Sequence, residues 1–352
     1  MKHDSSHRHF RPDELARRDP YLKPPFPQDW RDPRWPEVSV SLITYNHRKV
    51  IGRALDSILM QRVNFSYEIV VGDDCSDDGT RDILLEYQHR YPDRIVLNLH
   101  PRRYDNVAGR INNMTNLRAC RGKYTATLDG DDYWTDPDKL QRQYDLLERY
   151  PEVVLSVHDT NIHLFDEQDR IVRTHRASQV IADRVPSHFF SHIDITADRL
   201  VFFHLSSMFF RTRVFGDFPA DFESVIAADH YLTLLVSERG FIHYDATVRS
   251  AYNKYTWGFT QNARFSDFAS RQRRQRDLLL YGRRFRAVRE QRGYRSTYGT
   301  LSFKILIEAL RERRHLHTIP HNFIRTLIYN PRAMTAPFVN KLKLYLPRRS
   351  GS

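Results

Sequence analysis

Short apolar runs and segments of helical period alternate along the first half of the chain. Val38 to Ile43 (VSVSLI) is a β-branched run suited to a strand. In the RKVIGRALDSILMQ that follows, Val50, Ile51, Ala54, Leu55, Ile58 and Leu59 recur at helical spacing. Glu68 to Gly72 predicts a second strand, and Ile83, Leu84 and Tyr87 then share one face of a helix. Ile95 to Leu99, Tyr124 to Leu128 and Val153 to His158 predict further strands, with a loop and helix over Asn106 to Arg121. Asp136-Pro137 predicts a helix start, because Asp caps and Pro suits the first turn. Leu140, Tyr144 and Leu147 would face inward from that helix. Such alternation predicts an α/β fold, a mostly parallel sheet with helices on both faces.

After Thr160 the pattern loosens. His188 to Leu205 reads as irregular, Leu205 to Phe210 as a strand, Ala227 to Gly240 as a helix closed by Gly, and Phe241 to Asp245 as another strand. From Asp267 onward come Arg-studded helical segments.

Ligands of open α/β sheets gather beyond the carboxyl ends of the strands. Three polar loops fall there: Thr44-Tyr45-Asn46, Asp73-Asp74, and Asp129 to Asp132. Asp129, Asp131 and Asp132 form D-x-D-D, three carboxylates on four positions beside an apolar strand. Carboxylates this close repel one another and are costly to desolvate without a cation. Hard divalent ions such as Mg²⁺ and Mn²⁺ take oxygen ligands of this kind, together with phosphate oxygens. Helix capping accounts for Asp136 but not for the other three. Asp73 and Asp74 either accept hydrogen bonds from a base or ribose or open an Asx-turn.

The stretches VSVSLITYNHRKVIGRALDSIL, EIVVGDDCSDDGT and ACRGKYTATLDGDDYWTDPDKLQRQ, in this order and spacing, resemble the family 2 glycosyltransferases of bacterial polysaccharide synthesis. The resemblance is clear from Val38 to Thr160 and weaker to Thr260. It implies a GT-A fold with a donor half and an acceptor half, and transfer of a sugar from a nucleotide-sugar donor with inversion at the anomeric carbon. By position it implies that Thr44, Tyr45, Asp73 and Asp74 contact the nucleotide and that Arg110 lies near the diphosphate. Asp129, Asp131 and Asp132 match the loop for the metal, Mn²⁺ or Mg²⁺, and the sugar diphosphate. Asp229, in Ala228-Asp229, matches the family's general base. The chain departs from the family in YNKYTWG, where Tyr255 stands at about the position of a His that joins the metal in many relatives.

Composition adds a polarity along the chain. Residues 261–352 carry 21 Lys and Arg against 5 Asp and Glu, whereas the remaining residues are mildly acidic. The expected organisation is an extended arm over 1–36, a catalytic domain over 37–260 (donor half 37–160, acceptor half 161–260) and a basic helical extension over 261–352. The acceptor implied is a glycan or lipid-linked hydroxyl. The mixed apolar and basic stretch Ala333 to Arg349 suits an anionic membrane surface. With no spanning apolar run and no signal-peptide core, the expectation is a cytoplasmic protein, peripheral on the inner membrane face. A nucleotidyltransferase or a haloacid-dehalogenase-like phosphatase would use the same Asp cluster. TYNHRKVIG, however, is a poor phosphate loop, and Asp132-Tyr133 does not follow the phosphatase motif. A basic nucleic-acid-binding protein is disfavoured, because the positive charge lies away from the acidic loops.

Overall fold

The first β-branched run becomes β1 (Val38–Thr44), and β2 (Tyr67–Asp73), β3 (Ile95–Leu99) and β4 (Tyr124–Asp129) lie beside it in the order β3-β2-β1-β4, all parallel. This computed structural model describes residues 21–23, 31–103, 109–180, 189–198, 203–214, 216–225, 228–258, 268–290, 292–312 and 315–329. Residues 1–20 and 24–30 of the first arm and the segment Ala333 to Arg349 fall outside the described residues. Both faces of β1, β2 and β4 are buried, which is why they read as continuous rather than alternating runs.

The helices α1 (Ile51–Leu59), α2 (Thr80–Arg90) and α3 (Arg110–Ala119) connect these strands. α3 is anchored by amides rather than by an apolar stripe. Asn116 donates to the Val70 carbonyl at 2.7 Å and to Ser41 Oγ at 2.9 Å, and Asn112 donates to the Gly72 carbonyl at 2.8 Å. A Cβ on Gly72 would lie 2.3 Å from Asn112 Oδ1, so glycine is what lets α3 approach the sheet.

α4 (Lys139–Arg149) begins later than Asp136-Pro137 suggested. The Asp136 carboxylate accepts the Asp138 N–H at 2.9 Å and pairs with Arg249, which leaves it in a turn before the helix. Asp138 holds Arg62 through two hydrogen bonds, at 2.9 and 2.7 Å.

Beyond β4 the sheet becomes mixed. Its further strands are β5 (Tyr133–Trp134), β6 (Val153–Phe165), β7 (Ile171–Arg176), β8 (Phe189–Phe190), β9 (Phe209–Arg211) and β10 (Phe241–Lys254), with α5 (His192–Asp198) and α6 (Ala228–Ser237) between them. The order among the described residues is β3-β2-β1-β4-β9-β6-β10-β5, with β9 antiparallel to both β4 and β6. The α/β, GT-A expectation holds, with this antiparallel insertion added.

The expected strand over Leu205 to Phe210 is corrected. Leu205–Ser207 is a single 3₁₀ turn and the strand starts at Phe209, because His204 captures the chain. The His204 carbonyl accepts from Ser207 N at 3.0 Å, and its ring nitrogen accepts from Ser206 N at 3.3 Å. β6 and β10 run well past their apolar starts, since their polar second halves pair with each other in parallel. β7 is almost wholly exposed, so no apolar alternation marks it.

The chain divides into two compact units. One holds Met1–Ile195, Leu200–Ser224 and Ala228–Asn262, and the other holds Thr196–Arg199, Val225–Ala227 and Ala263–Ser352. The second contains α7 (Phe268–Arg284), α8 (Arg286–Glu290), α9 (Arg292–Glu312) and α10 (Ile319–Tyr329). Its interior joins Ile305, Ala309 and Leu301 to a buried polar contact, in which the Gln275 amide donates to Ser302 Oγ at 2.7 Å and Asn322 Oδ1 at 2.8 Å.

Candidate functional site

Two of the three polar loops are tied to the end of β1. The Thr44 carbonyl accepts the Asp74 N–H at 3.0 Å, and the Ile43 carbonyl accepts the Gly130 N–H at 2.8 Å. A Cβ on Gly130 would sit 2.8 Å from His47 Nδ1 and 2.9 Å from Thr44 Oγ1, so only glycine lets the acidic loop lie this close to β1. Asn46, at φ 55°, locks the first loop to the second. Its amide donates to Asp77 Oδ1 at 2.9 Å and its Oδ1 accepts Asp77 N at 3.0 Å.

Within this frame the expected nucleotide-contacting residues separate. The Asp73 carboxylate is fully buried and committed to its own turn. It accepts from the Ser76 N–H at 3.0 Å, from the Ser76 hydroxyl, and from Arg81 Nε at 2.6 Å. Asp74 is buried beside it. The Tyr45 hydroxyl accepts from Arg103 at 2.9 Å, with the same guanidinium 4.0 Å from the centre of its ring. Arg110 is buried in the first turn of α3.

The acidic loop at the end of β4 is more telling. Asp132 is buried, and its carboxylate accepts from Ser206 Oγ at 2.6 Å and from Asn253 N at 2.9 Å. His204 Nδ1 lies 3.3 Å from Asp132 Oδ2, and its Nε2 lies 4.0 Å from Asp129 Oδ2. One ligand atom from each of Asp129, Asp132 and His204 falls within 4.8 Å of the others. Asp131 lies to one side: its carboxylate is 4.0 Å from His47 Nε2, and its carbonyl accepts from Asn253 Nδ2 at 2.7 Å.

The electrostatics of this cluster favour a cation. Burial, then the charges of Asp131 and Asp229, push Asp129 up to about 8. Burial, with Asp131 and Asp129 next, raises Asp132 well above the usual carboxylate range. Burial also pushes His204 down to about 3, so its ring is neutral. The ring stacks on Tyr252 with centroids 3.9 Å apart and planes 15° apart. His204 Nδ1 lies 3.3 Å from both Ser206 N and Asp132 Oδ2, so its tautomer sets whether it accepts from the amide or donates to the carboxylate. Two carboxylates and a neutral imidazole suit a divalent first-row metal ion. Asp229 stands in the first turn of α6, where Oδ1 accepts the His230 N–H at 2.8 Å, and its effect on Asp129 places it in the same field.

Sequence reasoning did not find His204, Ser206 or Asn253. It noted only that Tyr255, a poor metal ligand, stands at about the position of the family's His, and left the third ligand unassigned. Tyr255 is a packing residue: it stacks between Trp257 at 4.5 Å and Phe165 at 4.2 Å, and its hydroxyl accepts from Arg53 at 2.7 Å. His243 packs on Phe189, with centroids 5.0 Å apart. The available signal was His204-Leu205-Ser206-Ser207, polar positions interrupting an apolar run, which marks a turn rather than a strand.

The model of the family described as Glycosyl transferase family 2 matches residues 39–216, half of the chain, and spans β1 to β9 with the whole acidic loop and His204. An uncharacterized protein of Mycobacterium tuberculosis is 39% identical over 127 residues, 36% of this chain and 35% of its own length. The putative teichuronic acid biosynthesis glycosyltransferase TuaG of Bacillus subtilis is 37% identical over 113 residues, 32% of this chain and 42% of its own length. The chain thus matches well under half the length of these curated relatives. Among solved structures, S. aureus TarS 1-349 in complex with UDP-GlcNAc is similar at a TM-score of 0.50 and 15% identity, over 88% of this chain and 80% of that one, a likeness of fold. With the matched segment carrying the sheet and the acidic loop described above, the chain belongs to glycosyl transferase family 2.

Proposed function

We propose that the protein is a metal-dependent, inverting glycosyltransferase that moves a sugar from a nucleotide-sugar donor to a hydroxyl of a glycan or lipid-linked acceptor. The observation that carries this reading is the convergence of Asp129, Asp132 and His204 at the end of β4. In this reading those three hold Mn²⁺ or Mg²⁺, with Asp131 beside them, and the imidazole nitrogen favours Mn²⁺. When bound, the ion neutralises the charge of a departing nucleoside diphosphate. Thr44, Tyr45, Asp73, Asp74 and Arg110 line the nucleotide side. Asp73 acts by shaping its loop through Ser76 and Arg81 rather than by offering free oxygens.

Asp229 takes the proton of the attacking acceptor hydroxyl. Its place at the start of α6, in the field of Asp129, supports that role. Residues 37–160 form the donor half, 161–260 the acceptor half, and 261–352 a basic helical extension. The name of TuaG supports a place in cell-surface polysaccharide synthesis. No helix among the described residues is long and apolar enough to cross a membrane. Association with the inner membrane face through the basic extension is part of the proposal.

The test is donor turnover over a panel of uridine, guanosine and thymidine diphosphate sugars, with Mn²⁺ and with chelator, scored by the anomeric configuration of the product. Metal-dependent transfer with inversion from one donor supports the reading. Retention of configuration, or turnover undiminished by chelator, overturns it.

A further inference from the structure

The helical unit contains a groove that the transfer chemistry does not use. It has a volume of about 570 Å³ and lies between α7 and α10 with the turn that precedes α10. Gln275 and Asn322, both buried and bonded to each other, belong to its wall. Arg273, Arg276 and Arg325, with His317 and His321, supply its charge, and among the described residues no Asp or Glu lines it. Arg273 and Arg276 are exposed, one helical turn apart on α7, while Arg325 lies over the Tyr298 ring at 5.2 Å.

A second feature adjoins the first. On α10, His321, Ile324, Arg325 and Ile328 follow at spacings of three, one and three and so share one helical face. Ile324 is 55% and Ile328 66% exposed, against the burial usual for isoleucine, and the neighbouring Phe323 is 38% exposed. Exposed apolar side chains next to clustered arginines are the chemistry of a helix that lies in an anionic lipid interface: the apolar groups enter the acyl boundary and the cations meet the phosphates.

We propose that this groove and the adjoining face of α10 bind the phosphate headgroup of an anionic lipid, with Ile324 and Ile328 entering the bilayer surface. The inference rests on the membrane placement proposed above and gives it a site. Arg273, Arg276 and Arg325 hold the headgroup phosphate as charge-assisted donors. The uncharged wall of Gln275 and Asn322 supplies further polar contacts without repelling an anion.

The test is co-sedimentation of the full chain with vesicles of phosphatidylcholine alone and of phosphatidylcholine with phosphatidylglycerol, at low and high salt. Two variants accompany it, R273Q/R276Q and I324S/I328S, all at exposed positions, with thermal melting to confirm folding. Each cationic side chain near an anionic surface is worth about fivefold in partitioning. The arginine variant is therefore expected to lose about 25-fold, and the isoleucine variant to weaken binding at high salt, where the apolar contact dominates. Binding to phosphatidylglycerol vesicles that both folded variants retain in full overturns the groove while leaving membrane placement standing through other residues. Absence of vesicle binding overturns both. Inorganic phosphate or pyrophosphate bound by a protein that ignores vesicles assigns the groove to a soluble anion and overturns the lipid reading.

Discussion

The Ser206 hydroxyl donates to the buried Asp132 carboxylate at 2.6 Å, joining the turn before β9 to the acidic loop after β4. Asp132 also takes the Asn253 N–H from β10, so strands far apart in sequence set the orientation of one carboxylate. A ligand fixed in this way loses little freedom when it binds a cation, and its oxygens stay aimed at His204. Ser206→Ala is expected to lower Mn²⁺ affinity by about tenfold to a hundredfold with the fold intact. Manganese binding followed by electron paramagnetic resonance checks this, and an unchanged affinity would place the metal elsewhere.

Asp229 serves the acceptor in this account and the donor not at all. Asp229→Asn should lower kcat by about a hundredfold or more while leaving nucleotide affinity within about twofold. A matched fall in donor binding would instead make Asp229 part of the metal site.

Much of this arrangement was readable from the chain. The strands that carry the polar loops are buried on both faces and announce themselves as apolar runs, and the D-x-D-D spacing has few structural explanations. His204 was hidden because it lies among residues with no periodicity, and its partners Asp132 and Tyr252 come from other parts of the sheet. The long second halves of β6 and β10 were hidden for a related reason. Polar residues such as Asp159, Thr160 and Ser250 are buried there through hydrogen bonds, Thr160 to Ser250 at 2.9 Å among them, and such burial leaves no apolar signature.

Two histidines in the first unit make stability sensitive to acid. His158 is pushed down to about 3 by burial and then by Lys139, and His192 down to about 4 by burial and then by Lys23. The unfolded chain binds protons at these sites near pH 6.5, and the folded chain resists them. Their contribution is complete above pH 6.5 and is lost as pH falls toward 4, by up to about 1.4 kcal/mol per pH unit for each. Urea unfolding at pH 7, 6 and 5 measures the slope. Replacing His158 with Gln should reduce it by up to about 1.4 kcal/mol per pH unit.

Lys139 is fully buried, and its Nζ has no hydrogen-bond partner among the described residues. It lies 3.8 Å from the centre of the Trp134 ring, and burial lowers it well below the ordinary lysine value. A desolvated amine is a cost that the ring face only partly offsets. Lys139→Met, similar in volume and apolar, is expected to raise stability by about 1–3 kcal/mol. A loss of stability on thermal unfolding would mean that the amine has a bonded partner in solution.

The central claim is that Asp129, Asp132 and His204 hold a metal ion that serves a nucleotide. Calorimetry with a nucleoside diphosphate panel, with Mn²⁺ and with chelator, on the native chain and on Asp129→Asn and His204→Gln, tests it most directly. The account predicts that one nucleotide binds only with Mn²⁺ and that both variants lose about tenfold or more in its affinity. Nucleotide binding equal with chelator and unaffected in both variants, or no nucleotide bound by the folded protein, would contradict it.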